Sequence, residues 1–265
     1  MKKPFYSLYC DKFSAYDMTM KEFVLPAALA ASGGPQSLNQ RLVYLSNRLQ
    51  YRQTFLQYDG VLMSGIHDER GVEQGGLLSS DEYQLVSNEE QETANRSGLG
   101  VSIGPIHVAC GVAADDTVLF SNSIHELQSL LNLSMSFCKD KCMKLVQDKT
   151  HLIIIRPKTL SSLTPESILF DGNPVAESAT TEHLGLIKSS SLSNILTVQD
   201  RISKHLKALL PVLSSGAARG HRANPAASLR VENLYASPIL FSGLASLVLT
   251  NNETKILSQH HRQIV

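Results

Sequence analysis

The chain has 265 residues, 43% hydrophobic and 18% charged, with 24 Lys and Arg set against 24 Asp and Glu. That length holds one large domain or two modest ones, and the composition excludes disorder throughout. A net charge of zero excludes a globally basic nucleic-acid binder, although local patches survive such averaging. In chain order, "PFYSLYCD" is β-prone and ends at Asp11. "DMTMKEFVLPAALAASGG" reads as a helix stopped by Gly33 and Gly34. "SLNQRLVYLSNRLQYRQTFLQY" carries Leu42, Leu45 and Leu49 at helical spacing. "DGVLMSGIHDERGVEQGG" reads as a hairpin running into a glycine-rich loop, and "SSDEYQLVSNEEQETANRSG" as a polar helix. A second hairpin follows around Asp115, between "IHVACGV" and "TVLF".

"SIHELQSLLNLSMSFCKDKC" is the clearest helix. Ser123 and Glu126 suggest a capping box, and Leu127, Leu130, Leu131 and Ser134 line one face. "THLIIIRP" reads as a buried strand closed by Pro157, and "SILFDGNPV" as a hairpin turning at Asp171-Gly172-Asn173. From about Ser193 the chain reads mostly helical, broken by "SSGAARGHRANP". Mixed hairpins and helices argue against a purely parallel sheet. They favour an α+β fold of the split βαβ type, an antiparallel sheet with helices on one face.

Four scattered cysteines do not make a disulfide framework. Cys138 and Cys142 could share a helix face, but a zinc site would need two more placed ligands. "MKKPFYSLYC" has lysines without a long apolar run behind them, and "PILFSGLASLVLT" is too short to span a bilayer. An intracellular protein, nuclear or cytoplasmic and not secreted, is expected. His260 and His261, near the C-terminus, are read as solvent-facing.

Charge is unevenly placed. Six Lys and Arg and no Asp or Glu lie between Arg201 and Arg230. That stretch reads either as a phosphate-facing patch or as a solvated face. The adjacent carboxylates of "GVAADDTVLF" are read in two ways: as solvated turn residues, or as part of a metal site that needs a third carboxylate. Asp11 also ends an apolar strand. In a split βαβ sheet it would face Asp115 across roughly 5 Å, the spacing of neighbouring strands. Hard oxygen ligands of that kind select magnesium or manganese. Two such ions are apparatus for in-line phosphoryl transfer.

Five motifs in order resemble the reverse transcriptase domain of non-LTR, LINE-like retrotransposons: "CDKFSAYD", "RGVEQGGLLS", "AADD", "LVQDKTHLIII" and "EHLGLI". The resemblance implies a reverse-transcriptase palm with partial fingers over 1–192 and a helical, thumb-like region over 193–265. It implies an RNA-directed DNA polymerase, a nucleotidyltransferase acting on an RNA template, a DNA primer and deoxynucleoside triphosphates, with no membrane. By the same resemblance Asp11 and Asp115 are the main metal ligands, supported by Asp116, and hold two Mg²⁺ or, in their place, Mn²⁺. Tyr16 is the steric gate against a ribose 2′-hydroxyl, and Gln74 and Gly75 lie against the incoming nucleotide. Lys149 sits near the pyrophosphate as charge stabiliser or general acid. The Asp171–Gly172 turn and His183, Leu184 and Gly185 hold the primer end. Arg201, Lys204, Lys207, Arg219 and Arg222 lie along the template–primer backbone.

The chain departs from the family pattern. Ala113 replaces the tyrosine of "YADD", and "GGLLSS" lacks the usual proline. The resemblance also implies truncation on both sides, within the fingers and within the thumb. A catalytically inactive retroelement remnant, at most binding nucleic acid, is therefore the alternative expectation.

Overall fold

A computed structural model describes residues 3–33, 40–68, 70–73, 75–157, 166–214 and 225–262. Two compact units divide the chain, Met1–Ser178 and Ala179–Val265. The sequence-based division at 192/193 leaves the hairpin at 180–189 with the first unit, whereas its contacts place it in the second.

The first unit is built on β1 (Phe5–Lys12). Its apolar residues alternate, so Tyr6, Leu8 and Cys10 share one face while Phe5, Ser7, Tyr9 and Asp11 share the other. Two short helices follow, α1 (Ala15–Met18) and α2 (Lys21–Ala31), so the single helix expected here is broken at Thr19 and Met20. Next comes α3 (Gln40–Tyr51). It is shorter than expected, because the chain beyond Tyr51 turns into a ribbon. There β2 (Gln53–Thr54) pairs with β5 (Ile66–His67), and β3 (Gln57–Tyr58) with β4 (Val61–Leu62).

The polar helix α4 (Ser79–Arg96) follows, then a small hairpin of β6 (Val101–Ile103) and β7 (Ile106–Val108). The expected hairpin at Asp115 is β8 (Cys110–Ala113) with β9 (Asp116–Ser121). Helix α5 (Ile124–Asp140) buries Leu127, Leu130, Leu131 and Ser134, as its periodicity predicts. The capping box does not form. Ser123 makes no side-chain cap bond; Ser121 Oγ accepts from Ser123 N–H and donates to Glu126. Strand β10 (Leu145–Ile155) and the hairpin of β11 (Ser167–Phe170) with β12 (Asn173–Ala176) complete the unit.

The main sheet has the order β10-β1-β9-β8, antiparallel throughout. Strand β1 thus lies beside the central hairpin, as expected for an α+β fold. Tyr6, Leu8, Cys10, Leu119, Leu152 and Ile154 form one core with Val24 of α2, Tyr83 and Val86 of α4, and Leu127, Leu130 and Leu131 of α5. Burying one such aliphatic side chain stabilises by about 1.5–3 kcal/mol. Cys10, Cys110 and Cys138 lie inside the core and Cys142 is exposed, past the end of α5. Burial pushes the Cys110 and Cys138 thiols up to about 12 and the Cys10 thiol higher still.

In the second unit β13 (Thr180–His183) pairs with β14 (Leu186–Ser189). Helix α6 (Ile195–Ser214) follows. Helix α7 (Pro225–Val231) runs through a π-helical turn, Glu232–Ala236, into α8 (Ser237–Phe241), and α9 (Asn251–Arg262) ends the unit. Val198, Leu240, Leu244 and Leu257 form its core. His260 is half-buried with its Nε2 3.0 Å from His205 Nδ1, which corrects the solvent-facing reading. Among the described residues no helix is long and apolar enough to cross a membrane.

Candidate active site

Asp11 lies at the end of β1 on the sheet face opposite the helical core. Its direct cross-strand partner is Asp116, not Asp115. Paired residues in antiparallel strands project to the same face, with Cα atoms about 4.5–5.5 Å apart. Asp115 occupies the turn between β8 and β9, after Ala114, whose φ is 54°. Asp116 begins the returning strand. The register thus separates the roles of the two adjacent aspartates: one belongs to the sheet, the other to its rim.

Lys149 reaches the same place by a different route. The β1–β10 register runs from Tyr9↔His151 to Asp11↔Val146. Two steps along β1 (9 to 11) therefore face five along β10 (146 to 151), and the surplus bulges outward. Thr150 Oγ1 donates to the Val146 carbonyl at 2.8 Å across the bulge. Bulges re-aim side chains, and this one brings Lys149 Nζ to 2.5 Å from Asp11 Oδ2. The hydrogen bond to Asp11 and that carboxylate's charge hold the Lys149 ammonium above the ordinary lysine range. Asp115 and Asp116 add to the effect. Three carboxylates therefore act on one cation. The Asp11 side chain is 17% exposed and that of Lys149 67%, so the ammonium can leave without unpacking the fold. Asp11→Asn is expected to return Lys149 toward its ordinary value; a downward shift of its side-chain ¹³Cε titration by NMR is the check.

Carboxylate oxygens alone, with no thiol or imidazole among them, suit Mg²⁺ or Mn²⁺. They already draw a cation, so their chemistry fits such an ion. Among the described residues, however, no three His, Cys, Asp or Glu converge closely enough to hold a metal as they stand.

Elsewhere in the first unit, Tyr16 and Gly75 line one cavity of about 390 Å³ with Gly76, Ser79 and Ser80. The glycine-rich segment is held against α1 and its C-terminal end by backbone bonds: Gly71 N–H to Thr19 O and Val72 N–H to Tyr16 O, both 2.8 Å. Gly75 has φ +79°, a conformation that favours glycine, and nothing lies within 4 Å of where a Cβ would be. Gln74 lies outside the described residues. A larger cleft of about 730 Å³, lined by α2, α3 and α4, includes Leu42 and Leu45 but none of the candidate site residues.

In the second unit His183, Leu184 and Gly185 form the end and turn of the β13–β14 hairpin, with φ of 50° at Leu184 and 71° at Gly185. Leu184 is exposed. Arg201 corrects the expectation of a backbone-facing cation: it is buried, and its guanidinium donates to the Gly185 carbonyl. A Cβ at Gly185 would come within 3.0 Å of that guanidinium, so the turn and Arg201 fit as a unit. Lys204 lies 2.8 Å from Asp200 and 3.5 Å from Glu182. Lys207 is exposed. Arg219 and Arg222 lie outside the described residues.

Two residues escaped the sequence reading. Lys12 and Glu90 form an ion pair of 2.6 Å inside the core of the first unit. A signal for Lys12 was present: it extends the inward row Tyr6, Leu8, Cys10. Likewise Arg201 falls on the buried stripe of α6 with Val198, His205 and Leu209.

No family model matches the chain. Over 128 residues, 48% of its length, the chain is 30% identical to the Retrovirus-related Pol polyprotein of a type-2 retrotransposable element of Drosophila melanogaster. It spans 12% of that polyprotein. Among solved structures, apo telomerase from Candida tropicalis is similar with a TM-score of 0.52 at 10% identity, over 98% of this chain and 44% of that one. Telomerase from the same organism in complex with the TWJ fragment of telomeric RNA gives a TM-score of 0.49 at 10% identity, over 98% and 49% of the two chains. At such identities the first of these likenesses is one of fold.

Proposed function

We propose, from the premise that this chain carries a reverse-transcriptase-like domain, that it is an RNA-directed DNA polymerase module. Its first unit is read as a palm and its second as a thumb-like region. The observation that carries the reading is the cross-strand pair Asp11 and Asp116, with Asp115 on the adjoining turn, acting together on one cation. Two bound magnesium ions would neutralise charge on the triphosphate and activate the primer 3′-hydroxyl. Asp11, Asp115 and Asp116 are the residues that would hold them. Tyr16 presents its ring where the sugar of a deoxynucleoside triphosphate would sit, and the open space above Gly75 lets the nucleotide approach the backbone. Lys149, held protonated, moves from Asp11 to the departing pyrophosphate and offers it a positive charge or a proton. In the first unit the reading assigns Asp171–Gly172 to the primer; in the second, taken by itself, it assigns His183, Leu184 and Gly185 to a primer strand and Lys204 and Lys207 to strand backbones, in a salt-sensitive way.

One observation favours the second reading, an inactive remnant that at most binds nucleic acid: the Lys149 ammonium sits directly on Asp11. Primer extension on oligo(dT)-primed RNA with magnesium separates the two. Extension by the purified chain and none by Asp115→Ala supports the polymerase. A folded chain that binds primed RNA and never extends it supports the remnant.

A further inference from the structure

Lys12 follows Asp11 and points the opposite way, into the core. Its side chain and that of Glu90 on α4 are both 0% exposed, with Nζ 2.6 Å from Glu90 Oε2. Ser134 of α5 donates to the other carboxylate oxygen. Burial alone would pull the ammonium down; Glu90 and then Tyr83 reverse this and hold Lys12 above the ordinary lysine range. The same ammonium lies 5.8 Å from the centroid of the Tyr83 ring. Tyr83 is fully buried, and burial pushes its phenol up to about 12 against the pull of Lys12. Its ring stacks on that of Tyr16 at 5.2 Å and 26°. Tyr16 in turn lines the 390 Å³ cavity with Gly75.

A continuous support therefore runs from Ser134 and Glu90, through Lys12 and Tyr83, to the ring in the cavity. We propose that Lys12, Glu90 and Tyr83 are positioning residues that fix the Tyr16 ring and thereby set the discrimination between deoxyribonucleotides and ribonucleotides. The role follows only if the cavity takes the sugar of a nucleoside triphosphate, as proposed above. A steric filter is only as selective as its wall is stiff. A ring free to retreat by a few tenths of an ångström admits an added hydroxyl. A close-packed, buried ring behind it, itself facing a fixed ammonium, removes that freedom. The pair sits on the far side of the sheet from Asp11, so its influence on selectivity is separable from the carboxylates.

The test compares binding of dATP and ATP to the full chain on a dT-templated primer by calorimetry, alongside incorporation of each. Three variants are used. Tyr83→Leu removes the stacking ring, and Tyr83→Phe keeps it. The double variant Lys12→Met with Glu90→Leu removes both charges together and leaves neither buried alone; circular dichroism checks each fold. The wild type is expected to prefer dATP. That preference falls about tenfold in Tyr83→Leu and in the double variant, the scale of a single steric contact. The change comes from improved use of ATP, with dATP binding nearly unaltered, and Tyr83→Phe keeps the wild-type ratio. A ratio unchanged in a folded Tyr83→Leu or double variant would overturn the proposal and reduce the network to core packing. A wild type that binds neither nucleotide would instead remove the polymerase reading, and this role with it.

Discussion

Glu90→Leu, with Lys12 left in place, is expected to destabilise the chain by about 3–5 kcal/mol, because it strands an ammonium in the core. Lys12 has no exposed side-chain surface to carry its charge to water. Tyr83 offers only a ring face at 5.8 Å, and Ser134 loses its acceptor at the same time. Lys12→Met with Glu90→Leu is expected to restore stability to within about 1 kcal/mol of wild type, or to exceed it, since apolar residues of similar volume often replace a buried pair without loss. Urea unfolding of both variants is the measurement, and equal midpoints would show that the pair is not coupled. Alkaline pH gives a second view. The folded-state value of Lys12 is raised, so the pair's contribution is fully present below the ordinary lysine value. It is lost only as pH climbs through the raised one. Near neutrality the pair stays charged on the lysine side.

Asp115→Ala is expected to lower primer extension by about a hundred- to a thousandfold, the scale seen when a group facing developing charge is deleted. Its stability should change by less than about 0.5 kcal/mol, as for surface positions that support no packing. The contrast follows from placement. Asp115 sits on the turn between β8 and β9, outside their paired residues. Asp116 pairs across to both Ala113 and Asp11, so its replacement would mix fold with chemistry. Asp148, exposed next to Lys149, is a matched control: Asp148→Ala should extend as the wild type does. Parallel loss in Asp115→Ala and Asp148→Ala would mean a general electrostatic effect and would sink the assignment of Asp115.

Much of this was legible where the signal was local. The leucine periodicity of α5 predicted its buried face residue by residue. Asp171–Gly172 marked its hairpin because both residues take positive φ. Asp11 could be set beside the central hairpin because a split βαβ order allows few neighbours for a first strand. The exact register could not be read, since Thr117, Val118 and Leu119 are all buried, and a strand buried on both faces lacks the alternation that would tell which aspartate faces Asp11. Long-range partners were also beyond reach. Lys12 and Glu90 are 78 positions apart, and nothing local to "CDKF" announces a carboxylate arriving from a helix. Arg201 misled for a related reason: counting charges along the basic stretch ignored that this residue falls on the inward stripe of α6.

The burial of Cys10, Cys110 and Cys138 has a practical corollary. A thiol reacts as its thiolate, and thiols held near or above 12 supply almost none at neutral pH. Cys142 alone is open to solvent. A mild thiol reagent added to the native chain should therefore modify one sulfur at once and the other three only as the core opens. The slow phase would time unfolding from within, with no label introduced. A dye on Cys142 would mark the first unit at a single, known point.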